Sequence, residues 1–130
     1  MDCYGREIRM RFDPSVSAPR VARRAVEQCV GADAPTEFLS DAVLLTSELV
    51  TNAVTHTDGG SELSAHFDPS LGRLRVEVSD TSPVVPEIRG GHPATNPGGR
   101  GLRIVDTVAA RWGTTVLPSG KSVWFELSAT

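Results

Sequence analysis

The sequence is short of cysteine, aromatic residues, positive charge and long apolar runs, and each shortage excludes something. Its two cysteines in 130 residues, Cys3 in a polar N-terminal stretch and Cys29 on the apolar side of a helical pattern, make no disulfide framework. Ala22, Ala25 and Val26 accompany Cys29 on that side, which suits a buried structural thiol; a nucleophilic one needs electropositive, partly exposed surroundings. Lys and Arg number 13 against 16 Asp and Glu, a net charge of -3. No broad basic footprint therefore marks the chain for direct nucleic-acid or membrane binding. No apolar run approaches the roughly 20 residues of a membrane span, and the charged first ten residues lack the apolar core of a signal peptide. A cytoplasmic protein is expected. His56, His66 and His92 show no metal-ligand spacing with one another or with the cysteines. With no internal repeat and no low-complexity tail, the chain is expected to form one domain over residues 1–130.

What is present is patterned. Four segments alternate apolar and polar residues with the period of a strand: Ile8, Met10, Phe12; Leu63, Ala65, Phe67; Leu74, Val76, Val78; and Val123, Phe125, Leu127. Residues 112–117 make a fifth, weaker strand. Turn chemistry at Asp68-Pro69-Ser70-Leu71-Gly72 predicts a hairpin between the second and third strands, and Pro118-Ser119-Gly120 predicts another between the last two. Three helices supply cover. Ser17 is placed to cap the first, whose stripe is Val21, Ala22, Ala25, Val26, Cys29 and Val30, and Gly31 ends it. Thr36 is placed to cap the second, which runs to about Thr55. Leu102, Val105, Val108 and Ala109 pattern a third, starting after Gly101. The element order fits an α/β (α+β) two-layer sandwich, a mixed, mostly antiparallel sheet with three helices on one face.

Inside the second helix, Glu48 and Asn52 interrupt an apolar run. Positions four apart project side by side. Leu44, Leu45, Leu49, Val50, Ala53 and Val54 surround them with apolar surface, so both polar groups call for a polar partner. Residues 81–101 follow neither period and hold four of the nine prolines and five of the twelve glycines; long loops of this kind are lids or binding loops, or else disordered. Asp80, at the end of the third strand, either reads an exocyclic amine of a base or caps a turn. Gly98-Gly99-Arg100-Gly101-Leu102 before a helix suits phosphate, through close backbone approach, helix N-terminal amides and a guanidinium, though such a turn also serves as a plain connection. Ser119-Gly120-Lys121-Ser122 ends like a phosphate-binding Walker loop, but Thr115 stands where that loop needs glycine and a strand follows.

Together these segments resemble the GHKL ATPases, the superfamily of gyrase, MutL and histidine kinases. The run from Glu48 to His56 resembles its N box, Asp80 to Pro83 its G1 box, Gly99-Arg100-Gly101-Leu102 its G2 box, and residues 120–127 its final strand. Within the superfamily the chain looks like the small bacterial anti-sigma serine/threonine kinases of the RsbW and SpoIIAB type and their actinobacterial relatives. The resemblance implies a Bergerat fold binding ATP and Mg2+, with a lid at about 81–101. It implies Asn52 as magnesium ligand, Glu48 as general base toward the attacking hydroxyl or water, and Asp80 on the adenine amine. Gly99 and Gly101 would hold phosphates, Arg100 would reach the γ-phosphate, and Ser122 would orient water near Asp80. His56, Pro83 and Leu102 complete the nucleotide-binding set. The segment Asp80-Thr81-Ser82-Pro83 departs from the Asp-x-Gly-x-Gly pattern of many relatives.

Few residues precede the first strand, where a histidine kinase has a dimerising hairpin, and none follow the last, where gyrase-like members have a transducer. The expected substrate is therefore met in trans: a STAS-domain anti-anti-sigma protein is phosphorylated and a sigma factor alternately sequestered. The competing expectation is a non-catalytic module that sequesters a sigma factor or other regulator with or without nucleotide. A homodimer through the first strand and helix would have a basic surface at Arg9, Arg11, Arg20, Arg23 and Arg24; a solvated helix face is the alternative.

Overall fold

The computed structural model describes residues 5–56, 59–81 and 97–129. Along the chain run β1 (Arg6–Phe12), α1 (Ala18–Val30), α2 (Thr36–His56), β2 (Ser61–Asp68), β3 (Arg73–Asp80), α3 (Pro97–Val108), β4 (Arg111–Leu117) and β5 (Gly120–Ser128). The strands form one sheet in the order β1-β2-β3-β5-β4. Every pairing among the described residues is antiparallel, which makes the expected mixed sheet a uniform one. α1 packs on β1 and β2, α2 on β3 and β5, and α3 on β4. The result is the expected two-layer sandwich.

Alternation decides which side of the sheet meets the helices. Register pairs Leu63 with Val78, Ala65 with Val76 and Phe67 with Leu74, and continues from these to Val123, Phe125 and Leu127 on β5. All of these side chains are buried. Fully burying one such large apolar side chain contributes about 1.5–3 kcal/mol, so the central strands anchor the fold. On the edge strand β1, Ile8, Met10 and Phe12 are only partly buried against the same core. The opposite face is polar, with Glu126 held between Arg75 at 2.9 Å and Arg111 at 3.2 Å.

Both predicted hairpins are present. Asp68 Oδ1 accepts from the Ser70 amide at 2.9 Å and the Ser70 hydroxyl at 2.7 Å, and these bonds, the hydroxyl first, hold its carboxyl below the usual range. Leu117 lies opposite Gly120 at the second turn.

The helices differ from expectation at their starts. The Ser17 side chain makes no cap bond to α1; its hydroxyl lies 3.0 Å from that of Ser15. Thr36 is the first residue of α2, and the Pro35 carbonyl receives the opening bond, from the Leu39 amide at 3.1 Å. Gly31 does end α1, with a positive φ of 63° that a side chain would oppose. The buried stripe of α1 is Ala18, Ala22, Val26, Cys29 and Val30, while Val21 is exposed. α3 begins at Pro97, five residues before its expected start, because proline suits the first helical position and lacks the amide that a helix leaves unpaired there. No helix among the described residues is long and apolar enough to cross a membrane.

Candidate functional site

The C-terminal half of α2 presents the two polar groups singled out in the sequence. Phe38, Ala42, Leu45, Leu49, Val50 and Ala53 fix the helix by burying its other side in the core. Leu44 does not join them; it is 41% exposed. Asn52 is only 8% exposed, and its Oδ1 is buried with no hydrogen-bond partner among the described residues. An acceptor in that state costs free energy until something donates to it or a cation meets it. One turn earlier Glu48 is half-buried, and burial pushes its carboxyl above the usual range. An orphaned oxygen beside a carboxyl that burial disposes to hold a proton is an arrangement suited to a hard cation and a proton acceptor.

Asp80 closes β3 on the face that carries Leu74, Val76 and Val78 toward the helices. Its buried carboxylate accepts from Lys121 Nζ at both oxygens, at 2.9 and 3.0 Å. Lys121 is 1% exposed. The turn residue Gly120 makes this possible, because a Cβ there would overlap the Asp80 carbonyl. The start of β5 can therefore lie hard against the end of β3, with Lys121 directly opposite Asp80.

The sequence reading gives Lys121 no functional role, although a signal exists. Counting back by twos from Leu127, Phe125 and Val123 places Lys121 on the inward face. The same count corrects the reading of Ser122, which falls on the other face of β5. Its hydroxyl donates to Glu77 Oε2 at 2.6 Å. Ser122 is thus tied to the outer side of β3 and does not join Asp80.

Gly99, Arg100, Gly101 and Leu102 lie in the opening turns of α3 and not ahead of it. The amides that a helix leaves without an i−4 partner are those of its first turn, here Gly98 and Gly99, with Arg100 and Gly101 deeper in the helix. The side chains of residues 97–102, the His56 side chain, Pro83 and the expected lid from 82 to 96 lie outside the described residues. Cys29 is buried, its thiol near the carbonyls of Arg6 at 3.4 Å and Ala65 at 3.8 Å, and burial raises its pKa. It is the structural thiol expected.

Magnesium takes few protein ligands, commonly one or two oxygens beside phosphate and water. The orphaned Oδ1 of Asn52 fits one such position. Among the described residues no three His, Cys, Asp or Glu side chains form a metal cage.

The family profile described as "Histidine kinase-like ATPase domain" matches residues 12–126. No curated protein matches the chain. Among solved structures, the RsbU and RsbW domains of Rv1364c from Mycobacterium tuberculosis align at 19% identity with a TM-score of 0.69, over 94% of this chain and 32% of that one. A blue-light activated histidine kinase of Erythrobacter litoralis aligns at 25% identity and a TM-score of 0.58, over 85% of this chain and 40% of that one. A histidine kinase domain from the same kinase gives 24% and 0.55, over 91% and 62%. The chain thus spans less than two thirds of each.

Proposed function

The chain belongs to the histidine kinase-like ATPase domain family, and we propose that it is an ATP-binding serine/threonine protein kinase acting as an anti-sigma factor. Its substrate in this reading is a STAS-domain anti-anti-sigma protein, and a sigma factor is its alternate partner. Membership implies ATP binding; the shared fold with the RsbW domain of Rv1364c supports the partner-switching role. The observation that carries the reading is the orphaned Oδ1 of Asn52 one helical turn from Glu48.

In this reading Asn52 offers its oxygen to magnesium, which when bound would neutralise charge on the phosphates. Asp80 accepts from the exocyclic amine of adenine. First-turn amides of α3 hold phosphate oxygens, and Arg100 reaches the terminal phosphate. Glu48 takes the proton from the serine or threonine hydroxyl of the partner as that oxygen bonds to the γ-phosphorus and the bond from that phosphorus to the β–γ bridging oxygen breaks, with ADP as the leaving group. The 130 residues act as one domain, in the cytoplasm. Incubation with Mg-ATP and the STAS-domain proteins of the same genome is expected to label a serine or threonine of one of them. Labelling of none would refute the kinase assignment.

A second reading, a regulatory module that binds its partner without phosphorylating it, is favoured by one feature. Lys121 already contacts both oxygens of Asp80, so a base must share that carboxylate. Stoichiometric partner binding indifferent to ATP, with no labelling, would select it.

A further inference from the structure

Lys121 is the one buried cation that the phosphoryl-transfer reading leaves without a task among the described residues. Lysine is rarely buried fully, and nothing in the sheet demands it here. β3 and β5 already pair along their length, with Val78 opposite Val123 immediately before Asp80 meets Lys121. A well-packed apolar pair at such a position is commonly as stable as an ion pair or more so. The charge therefore points to recognition.

The donors can be counted. An ammonium carries three N–H groups. Among the described residues the Nζ of Lys121 has only the two oxygens of Asp80 as partners, so one donor is left over. It lies beside a carboxylate, which accepts at several positions around its two oxygens. Donor and acceptor are adjacent, both are buried, and both face the helix layer at the ends of their strands.

That pairing complements the Watson–Crick edge of adenine, where the exocyclic amine donates and the neighbouring N1 ring nitrogen accepts. We propose that Lys121 is a base-reading residue of the nucleotide site, donating to the adenine N1 nitrogen while Asp80 accepts from the exocyclic amine. The inference rests on the nucleotide-binding reading above and adds to it the residue that sets base specificity. Guanine in the same pose would turn its carbonyl oxygen toward Asp80 and its N1–H toward the ammonium. Both contacts are mismatched, and a site built from buried polar groups rejects such a ligand strongly.

Calorimetric titration of the wild-type protein tests this without a mutation. The ligands are the magnesium complexes of ATP, of 1-deaza-ATP, in which C–H replaces the N1 nitrogen, and of 7-deaza-ATP, which keeps the whole Watson–Crick edge. Loss of a hydrogen bond to a charged donor is expected to weaken 1-deaza-ATP about tenfold or more, with 7-deaza-ATP close to ATP. Equal affinity for ATP and 1-deaza-ATP, or equal weakening of both analogues, would overturn the role of Lys121 while leaving nucleotide binding in place. Failure of ATP itself to bind would overturn the underlying reading and the inference with it. In Lys121→Met, checked for folding by circular dichroism, ATP and 1-deaza-ATP are expected to bind alike; persistent discrimination would again overturn the proposal.

Discussion

Replacing Lys121 by methionine keeps an unbranched stem and removes the ammonium, which leaves Asp80 buried opposite an apolar side chain. The Asp80 side chain is 2% exposed and that of Lys121 1%, so without nucleotide the pair is largely screened from bulk water. Truncating one partner of a buried pair costs about 3–5 kcal/mol. For 130 residues the unfolding entropy is about 0.27 kcal/mol/K, and the loss becomes a drop of about 11–18 °C in midpoint. Thermal and urea unfolding at pH 7, followed by far-UV circular dichroism, measures it. The double variant Lys121→Met with Asp80→Leu removes both charges and is expected to recover wild-type stability or better, since the buried pair is then replaced and not broken. The exposed pair of Arg9 and Glu7, at 3.0 Å, provides the contrast: Arg9→Ala should leave the unfolding midpoint almost unchanged. If Lys121→Met costs no more than Arg9→Ala, or if the double variant is no more stable than the single one, the Asp80 and Lys121 contact is not the buried ion pair described.

Four further outcomes are expected. Glu48→Ala should retain nucleotide and lose phosphoryl transfer, because positioning and metal charge bind the nucleotide while the carboxylate orients the nucleophile; equal loss of both would make Glu48 structural. Burial raises the Glu48 carboxyl, so in the native state ionisation is penalised. Between its ordinary value and the raised one the native protein binds more protons than the unfolded chain, and stability falls as pH rises. Glu48→Gln should therefore gain stability over wild type above that window and lose the gain below it; a gain that grows toward low pH would contradict the sign. Asn52→Leu, measured in chelator, should be no less stable than wild type, because an orphaned buried oxygen costs about 1–3 kcal/mol, and its nucleotide affinity should no longer respond to magnesium. Marked destabilisation would mean that the amide has an essential structural partner. In a Cys3→Ser background, no thiol should titrate with Ellman's reagent until the protein unfolds, since Cys29 is buried with a raised pKa; fast labelling of the native state would refute the packing described.

The sheet was legible because it is governed by a simple rule. Strands with one covered face alternate, and the four segments read by alternation are β1, β2, β3 and β5 in register. Helix existence was equally plain from apolar spacing. Helix starts were not, because they depend on where local hydrogen bonds go, and Ser17 and Thr36 each have the right side chain without the capping role. Val21 and Leu44 fit their stripes by residue type alone; how far round each helix the neighbouring elements reach leaves them exposed. The glycines before Leu102 read as a turn ahead of the helix, but α3 starts at Pro97 and takes them into its opening turns, where the helical cost of glycine is weaker.

The candidate pair on α2 was legible for a different reason: polar residues in an apolar run violate a local rule, and such violations concentrate at sites. The same test applied to β5 would have found Lys121. Its inward position is one step back along the alternation that identified Val123, Phe125 and Leu127, and a charge there is as anomalous as Glu48 in α2. The failure of residues 119–122 as a Walker loop says nothing about this position, because the alternation places Lys121 inward whatever motif surrounds it. Ser122, expected from the resemblance to orient water near Asp80, is the neighbour of Lys121; adjacent strand residues face opposite sides, so only one of the two can share a face with Asp80. The period of two excludes Ser122 from the face that carries Asp80 and places Lys121 on it. A strand residue near a site therefore has to be assigned its face before it is assigned a role.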